Sequence, residues 1–292
     1  MASDSRLLPA ILAFIAAALW GIWWIPIRYL ETLGMDGAWG SVAMNAGAAL
    51  AAVLWMILAR VPFRVSRNGV MGAVLVAVAV TTYSVAITLA DVVRVILLFY
   101  LAPAWSKIIE WAFLDQRWGW PSTVAVIASL IGAYLVLGGE VSLDSIGVGD
   151  MLAVLSGMAW AGGAALIFTG GRAHAMSLTL VTATAATLIG FGFIILGSGS
   201  AFSGQATLIG SGTGALAGII YVLPILALTL WSAQRLSPAV VSFLLTAEIL
   251  SGVLSGVMFL DEPFGVMQAA GAVMILLAAA IEVIPQVMRK TA

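Results

Sequence analysis

The chain alternates long apolar runs with short polar connections, and this pattern predicts its fold. An α-helix rises about 1.5 Å per residue, so about 20 apolar residues cross the hydrocarbon of a bilayer. Lipid offers the backbone no hydrogen-bond partner, so helix is the expected state of such runs. The pattern predicts an all-α integral membrane protein with ten transmembrane helices, at about 8–30, 38–59, 70–90, 92–113, 120–139, 149–170, 177–197, 211–231, 238–259 and 264–285. The first run is expected to be a retained span, because it is longer than a signal-peptide core.

Span four is unusual because polar residues interrupt its apolar run. The stretch Leu97–Asp115 contains Pro103, Lys107 and Glu110. A charge at the centre of a membrane helix costs roughly 2.5–3.5 kcal/mol even on insertion scales. We therefore expect one side of this helix to face protein or water. A related stretch, Phe243–Asp261, lies in span nine and also ends in Leu-Asp.

Further similarities in the same order indicate an internal repeat. Trp20 of span one, for example, corresponds to Trp160 of span six. Five spans per repeat is an odd number, so the second repeat enters the membrane from the opposite side, as in inverted-repeat transporters. The sequence predicts two domains, residues 1–144 and 145–292, as inverted five-helix repeats around a central cavity. Chance similarity between alanine-rich helices is the alternative.

Composition narrows the classes of partner. The chain is 63 % hydrophobic and 9 % charged, whereas soluble domains are about 25 % charged. The lipid bilayer is therefore the expected environment, and a net charge of -1 argues against nucleic acid. The chain has no cysteine and His174 is its one histidine, so we predict no disulfide, no metal site and no cofactor. We expect a monomer that binds a small molecule.

The distribution of Lys and Arg predicts the topology, because cytoplasmic loops are enriched in them. With cytoplasmic termini, that side holds most of these residues: Arg6, Arg60, Arg64, Arg67, Arg117, Arg172, Arg235, Arg289 and Lys290. The other side holds Arg28 and Arg94, and Lys107 lies within a span. Both termini are therefore predicted to be cytoplasmic.

Glu248 and Lys107 are the charged candidates for a binding site. Glu248 lies near the middle of span nine, too deep to reach the interface, so it is expected to be protonated or paired. It is a candidate for proton coupling or for binding a substrate amine. The structural alternative is a buried acid bonded to Lys107 or to backbone. Lys107 is a candidate for a substrate carboxylate, and its alternative is a structural pair with Glu110 three residues along the helix.

Aromatic residues near the centres of several spans suggest a pocket. Interfacial Trp and Tyr belong to the aromatic belts, but a second set falls at mid-span depth: Trp20, Tyr83, Tyr100, Trp160 and Tyr221, with Trp24 on the face of Trp20. Such rings bind flat, apolar or cationic solutes through stacking and cation–π contacts. Packing between helices is the alternative for each. Pro26, Pro103 and Pro224 are predicted kinks, because proline frees the carbonyl one turn earlier.

Two sets of motifs resemble a known family. Ala-Leu-Trp-Gly at Ala18–Gly21 is echoed at Met158–Ala161, and two degenerate copies of Glu-Pro followed by Leu-Gly-Glu are present: Ala102-Pro103 with Leu114-Asp115-Gln116, and Glu248-Ile249 with Leu260-Asp261-Glu262. The chain resembles the drug/metabolite transporter superfamily, in its EamA-like ten-helix exporter branch, and most closely the bacterial aromatic amino acid exporters. The resemblance implies a basket of helices in the inner membrane, with a central cavity from spans one, three, four, six, eight and nine that opens to alternate sides.

These observations favour one function and leave others open. The leading hypothesis is an exporter of aromatic or apolar amino acids that works by alternating access. A broad exporter of aromatic cations or drugs is the close alternative. An intramembrane enzyme is remote, because the sequence shows no H-E-x-x-H and no Walker loop, and we predict no enzymatic activity. A purely structural protein would leave Glu248 unexplained.

Overall fold

The fold is described from a computed structural model, for residues 7–113, 118–136, 146–197, 204–236, 241, 244–260 and 264–288. Several predictions concern residues outside this set: the Leu-Asp ends of both related stretches at Leu114-Asp115 and Asp261, the neighbouring Gln116 and Glu262, the domain boundary at 144–145, and the cytoplasmic charges Arg6, Arg117, Arg289 and Lys290. The side chain of Pro103 also lies outside it.

The described residues form helices and contain no strand. The α-helices, numbered here in chain order, are α1 Leu7–Gly21, α2 Trp24–Thr32, α3 Trp39–Leu58, α4 Arg67–Leu89, α5 Val92–Phe99, α6 Ala102–Phe113, α7 Trp120–Val136, α8 Val148–Thr169, α9 Ala175–Ile195, α10 Gly204–Ala217, α11 Leu223–Ala233, α12 Thr246–Leu260 and α13 Val266–Met288. A π-helical turn, Gly218–Val222, joins α10 to α11.

Seven helical stretches in the described part of the chain are long and apolar enough to cross a membrane: Leu8–Thr32, Trp39–Leu58, Arg67–Leu89, Val92–Phe113, Val148–Thr169, Ala175–Ile195 and Thr207–Ala233. Shorter apolar helices, Trp120–Gly132, Ser251–Leu260 and Val266–Ala278, lie at the predicted spans five, nine and ten. By length and composition, these are the helices of a multi-pass membrane protein. The count of ten spans stays a prediction.

Spans one and four are each interrupted next to a proline. In span one the helix breaks at Ile22 and Trp23, and the N–H of Ile25 donates to the carbonyl of Ile22 at 3.1 Å. That carbonyl lies four residues before Pro26, which has no N–H to offer it. In span four α5 ends at Phe99, again four residues before a proline, Pro103. Each interruption therefore falls where the missing N–H opens the helical ladder.

The interruption in span four is packed tightly against α8. A Cβ on Gly157 would lie 2.6 Å from the carbonyl oxygen of Phe99. Only glycine leaves room for this carbonyl, which is the one that Pro103 frees. The π-helical turn Gly218–Val222 similarly precedes Pro224, and such turns commonly mark irregular, functional positions of a helix.

The helices pack in a regular set of pairs. α1 contacts α11 and α12, and α4 contacts α8 and α9. α3 contacts α9 and α10, α7 contacts α13, and both α5 and α6 contact α8. α5 also contacts α12, so the two related stretches of the sequence meet directly. These contacts bring α1, α4, α5, α8 and α12 around one point near the centre of the protein.

Candidate functional site

A small cavity lies where these helices meet. It measures about 40 Å³ and is lined by apolar, aromatic and a few polar side chains: Trp20, Ala79, Val80, Tyr83, Phe99, Ser156, Trp160, Leu245 and Glu248. A space of this size has room for a few water molecules. Four of the predicted binding residues, Trp20, Tyr83, Trp160 and Glu248, therefore line one cavity.

Glu248 is held by two tyrosines. It is 4 % exposed, and Tyr83 Oη donates to its Oε1 at 2.9 Å while Tyr100 Oη lies 3.2 Å from its Oε2. Tyr100 Oη also contacts the carbonyl of Leu245. A tyrosine hydroxyl has a single proton, so Tyr100 can donate either to the carbonyl or to the carboxylate. With Glu248 ionised it donates to the carboxylate, and with Glu248 protonated it can accept from the carboxyl and donate to Leu245.

Aromatic rings surround this acid. Phe99 packs edge-on against Tyr83, with ring centroids 5.4 Å apart, and against Tyr100 at 5.5 Å. Edge-to-face pairs at this spacing are favourable and fix the ring orientations. Because Phe99 is the last residue of α5, the break in span four sets the position of this ring. The rings of Tyr83, Phe99 and Tyr100 therefore pack against one another beside the carboxyl group of Glu248.

Most polar side chains that line the cavity form hydrogen bonds to other groups of the protein. Trp20 Nε1 donates to Thr229 Oγ1 at 3.0 Å, which ties span one to span eight. Ser156 Oγ donates to the carbonyl of Ala79 at 2.8 Å, which ties α8 to α4. Trp160 Nε1 differs, because it is buried and has no hydrogen-bond partner among the described residues.

Three other predicted residues pack nearby without lining the cavity. Trp24 Nε1 donates to Ser255 Oγ at 2.9 Å and so ties span one to span nine. Tyr221 stacks on Trp23, with centroids 6.0 Å apart, and its hydroxyl donates to the carbonyl of Leu19. Tyr100 reaches Glu248 through its hydroxyl alone. Trp24 and Tyr221 thus stabilise the packing of the helices next to the cavity.

Lys107 also lies outside the set of side chains that line the cavity. It is 8 % exposed, and its Nζ lies 3.8 Å from Glu110 Oε2 on the same helix. This is the pair that the structural alternative describes. Of the charged side chains in the described part of the chain, Glu248 is the one that lines the cavity.

The structure adds site residues that the sequence did not single out. Phe99 and Leu245 gave no signal, because isolated apolar residues are common in every span. Ser156 did give one, since it lies four residues before Trp160 and therefore on the same face of α8. Thr229, the partner of Trp20, is a polar residue inside an apolar span, which was also detectable.

A second polar contact lies at the other end of α5. Arg94 Nε lies 2.6 Å from Asp150 Oδ1, and Arg94 Nη2 donates to Oδ2 at 2.7 Å. Asp150 is 5 % exposed and also accepts from the N–H of Gly147 at 2.9 Å, at the start of α8. This ion pair joins span four to span six, on the side predicted to be external.

Two comparisons with known proteins give a match, one for the fold of the chain and one for part of its sequence. A solved structure titled "Crystal structure of protein" aligns over 96 % of this chain and 97 % of its own, with a TM-score of 0.65 and 18 % identity, a likeness of fold. Comparison with curated proteins gives no match. A family model matches part of the sequence: residues 7–138 match the EamA-like transporter family.

Proposed function

We propose that the whole chain is an EamA-like membrane transporter that exports aromatic or apolar amino acids by alternating access. The family match of residues 7–138 supports the transporter class. The substrate class is our own inference from the cavity. The observation that carries it is a cavity in which Trp20, Tyr83, Phe99 and Trp160 surround a single acid, Glu248.

We further propose that residues 1–144 and 145–292 are inverted repeats. Exchanging the halves would turn the contact between spans one and nine into one between spans six and four. It would turn the contact between spans three and six into one between spans eight and one. Each of these contacts is present, as α1 with α12, α6 with α8, α4 with α8, and α1 with α11. A packing pattern with this exchange symmetry supports two halves that rock about a midplane site.

The size of the cavity supports a mechanism in which the helices move, as alternating access requires. Benzene fills an apolar protein cavity of about 150 Å³, whereas this one measures about 40 Å³. An aromatic amino acid therefore needs the surrounding helices to move apart before it binds. The interrupted spans one and four contribute Trp20 and Phe99 to the cavity lining, and the interrupted span eight contacts span one. These interruptions supply places where such movement can occur. The prolines Pro26, Pro103 and Pro224 belong to this proposal as hinges.

Transport by purified protein tests the proposal directly. Protein reconstituted in vesicles should move labelled phenylalanine down its gradient, and excess unlabelled tyrosine or tryptophan should compete. Cells that overproduce the protein should release more phenylalanine and tolerate toxic aromatic analogues. Vesicles that retain phenylalanine as well as empty vesicles do would overturn the proposed substrate class.

A second candidate function is the export of aromatic cations or drugs. It is favoured by the electrostatics of the lining, because Glu248 lines the cavity while Lys107 lies next to Glu110 elsewhere. An anionic aromatic cage attracts a delocalised cation through both charge and cation–π contact. Phenethylamine that moves while phenylalanine does not would select this function.

The proposed location is the bacterial inner membrane with both termini cytoplasmic. The two arginines predicted to be external have acidic neighbours, since Arg28 pairs with Glu31 at 3.2 Å and Arg94 with Asp150. The absence of cysteine makes the test simple: single cysteines introduced at the exposed residues Thr32 and Asn68 should react with a membrane-impermeant thiol reagent from opposite sides. Labelling of both from one side of intact cells would exclude this topology.

A further inference from the structure

One of the side chains that line the cavity carries a hydrogen-bond donor that the described part of the protein does not use. The polar side chains of the lining are Trp20, Tyr83, Ser156, Trp160 and Glu248. Tyr83 donates to Glu248, Trp20 to Thr229 and Ser156 to Ala79. The remaining donor is Trp160 Nε1, which has no partner among the described residues.

Among the described residues, two buried indole N–H groups lack a partner, those of Trp105 and Trp160, and of the two residues Trp160 is the one that lines the cavity. The residue is 5 % exposed, and buried donors in proteins are nearly always hydrogen-bonded. An indole N–H donates only and cannot accept, so its missing partner must be an acceptor. Phenylalanine or leucine would fill apolar space without this donor. Because Trp160 lines the cavity, a molecule that enters when the surrounding helices move apart is the candidate to supply this acceptor.

Glu248 offers the complementary group on the same cavity. Its two oxygens contact Tyr83 and Tyr100, and a carboxylate has about four acceptor positions. It therefore retains capacity for a substrate ammonium group. A purely cationic substrate would use Glu248 and leave the Trp160 donor unpaired, whereas an amino acid would use both.

We propose that Trp160 Nε1 donates to the carboxylate of a zwitterionic aromatic substrate, while Glu248 binds the ammonium group of the same molecule. This inference rests on the proposed function and names the group that distinguishes amino acids from amines. It replaces Lys107 as the partner of the carboxylate. Trp160 thereby acts as a specificity-determining residue.

Trp160→Phe tests the proposal, because it keeps an aromatic ring and removes the N–H. Purified variants in vesicles are compared for transport of phenylalanine and of phenethylamine, which lacks the carboxylate. The matched control is Trp20→Phe, since Trp20 lines the same cavity but its N–H donates to Thr229. Thermal unfolding in detergent checks that both variants fold.

The expected result is a change in discrimination. Loss of one hydrogen bond to a charged group should raise the KM of Trp160→Phe for phenylalanine about tenfold more than its KM for phenethylamine. Trp20→Phe should alter both substrates by a similar factor. An equal change for both substrates in Trp160→Phe, or no change for phenylalanine, would overturn the proposal. Failure of the wild-type protein to move phenylalanine would instead refute the proposed function.

Discussion

Replacing Glu248 by Leu is expected to destabilise the protein chiefly through the hydroxyl that remains on Tyr83. Tyr83 is 5 % exposed, and its hydroxyl donates to Glu248 Oε1 at 2.9 Å. Without this acceptor the hydroxyl is buried and unpaired, which costs about 1–3 kcal/mol. Tyr100 is affected less, because its hydroxyl also contacts the carbonyl of Leu245. Glu248→Leu should therefore lower the free energy of unfolding by roughly that amount.

The double variant Tyr83→Phe with Glu248→Leu isolates the contribution of the Tyr83–Glu248 hydrogen bond to stability. Removing both partners of a buried hydrogen bond is far less harmful than removing one. The double variant should therefore be more stable than Glu248→Leu alone. Glu248→Gln is the matched control for charge. Its amide oxygen can accept from Tyr83, and its NH2 can donate to Tyr100 while Tyr100 donates to Leu245, so its stability should stay close to that of the wild type.

Thermal unfolding of detergent-purified protein, followed by tryptophan fluorescence, measures these differences. A change of 1 kcal/mol corresponds to about 2–4 °C for chains of 150–250 residues, so a cost of about 1–3 kcal/mol in Glu248→Leu should lower the Tm by roughly 2–12 °C. Transport is measured in parallel. Glu248→Gln should retain its Tm and lose transport of phenylalanine and phenethylamine, because the carboxylate that binds ammonium is gone.

Two outcomes would refute this reasoning. If the double variant is no more stable than Glu248→Leu, the cost does not arise from the unpaired Tyr83 hydroxyl. If Glu248→Gln transports phenylalanine as the wild type does, the acid is structural and the ammonium group binds elsewhere.

Two further predictions concern contacts between helices that do not involve the carboxyl group of Glu248. Gly21→Ala should lower the Tm, because a Cβ at Gly21 would lie 2.5 Å from a backbone oxygen of span nine and overpacking costs about 1–3 kcal/mol; Gly192→Ala, with no atom within 4 Å of its Cβ, should leave the Tm unchanged or raise it. Asp150→Ala should lower the Tm more than Asp150→Asn, because asparagine can still accept from the N–H of Gly147 although both lose the charge that pairs with Arg94. Equal Tm values within either pair would contradict the assigned contacts.

Hydropathy alone located most of the described helices. Trp39–Leu58 and Val92–Phe113 fall almost on the predicted ranges 38–59 and 92–113. This agreement has a physical reason, since lipid requires a continuous apolar and hydrogen-bonded segment. The same reasoning could not place the interruptions at Ile22 and Trp23, because apolar composition does not change there.

Depth within a span was a partial guide to the cavity. Trp20, Trp160 and Glu248 were chosen as mid-span residues, and all three line the cavity. Trp24 was added because it shares an ideal helix face with Trp20, yet it bonds Ser255 instead. The helix breaks between the two tryptophans, so the residues after the break take a different rotation about the axis. A sequence pattern assumes an unbroken helix and cannot supply that rotation.

The proposed substrate site depends on which polar groups are already paired within the protein. Lys107 has an acid three residues along the same helix, and its Nζ lies 3.8 Å from the carboxylate of Glu110, so the lysine is engaged before any substrate binds. The indole N–H of Trp160 has no partner in the described residues, and this residue lines the cavity with a donor that carries no formal charge. A cavity with one acid and one neutral donor discriminates against amines lacking an acceptor and against acids lacking an ammonium group. An amino acid satisfies both groups at once, which is why the unpaired indole N–H favours a zwitterion over a cation.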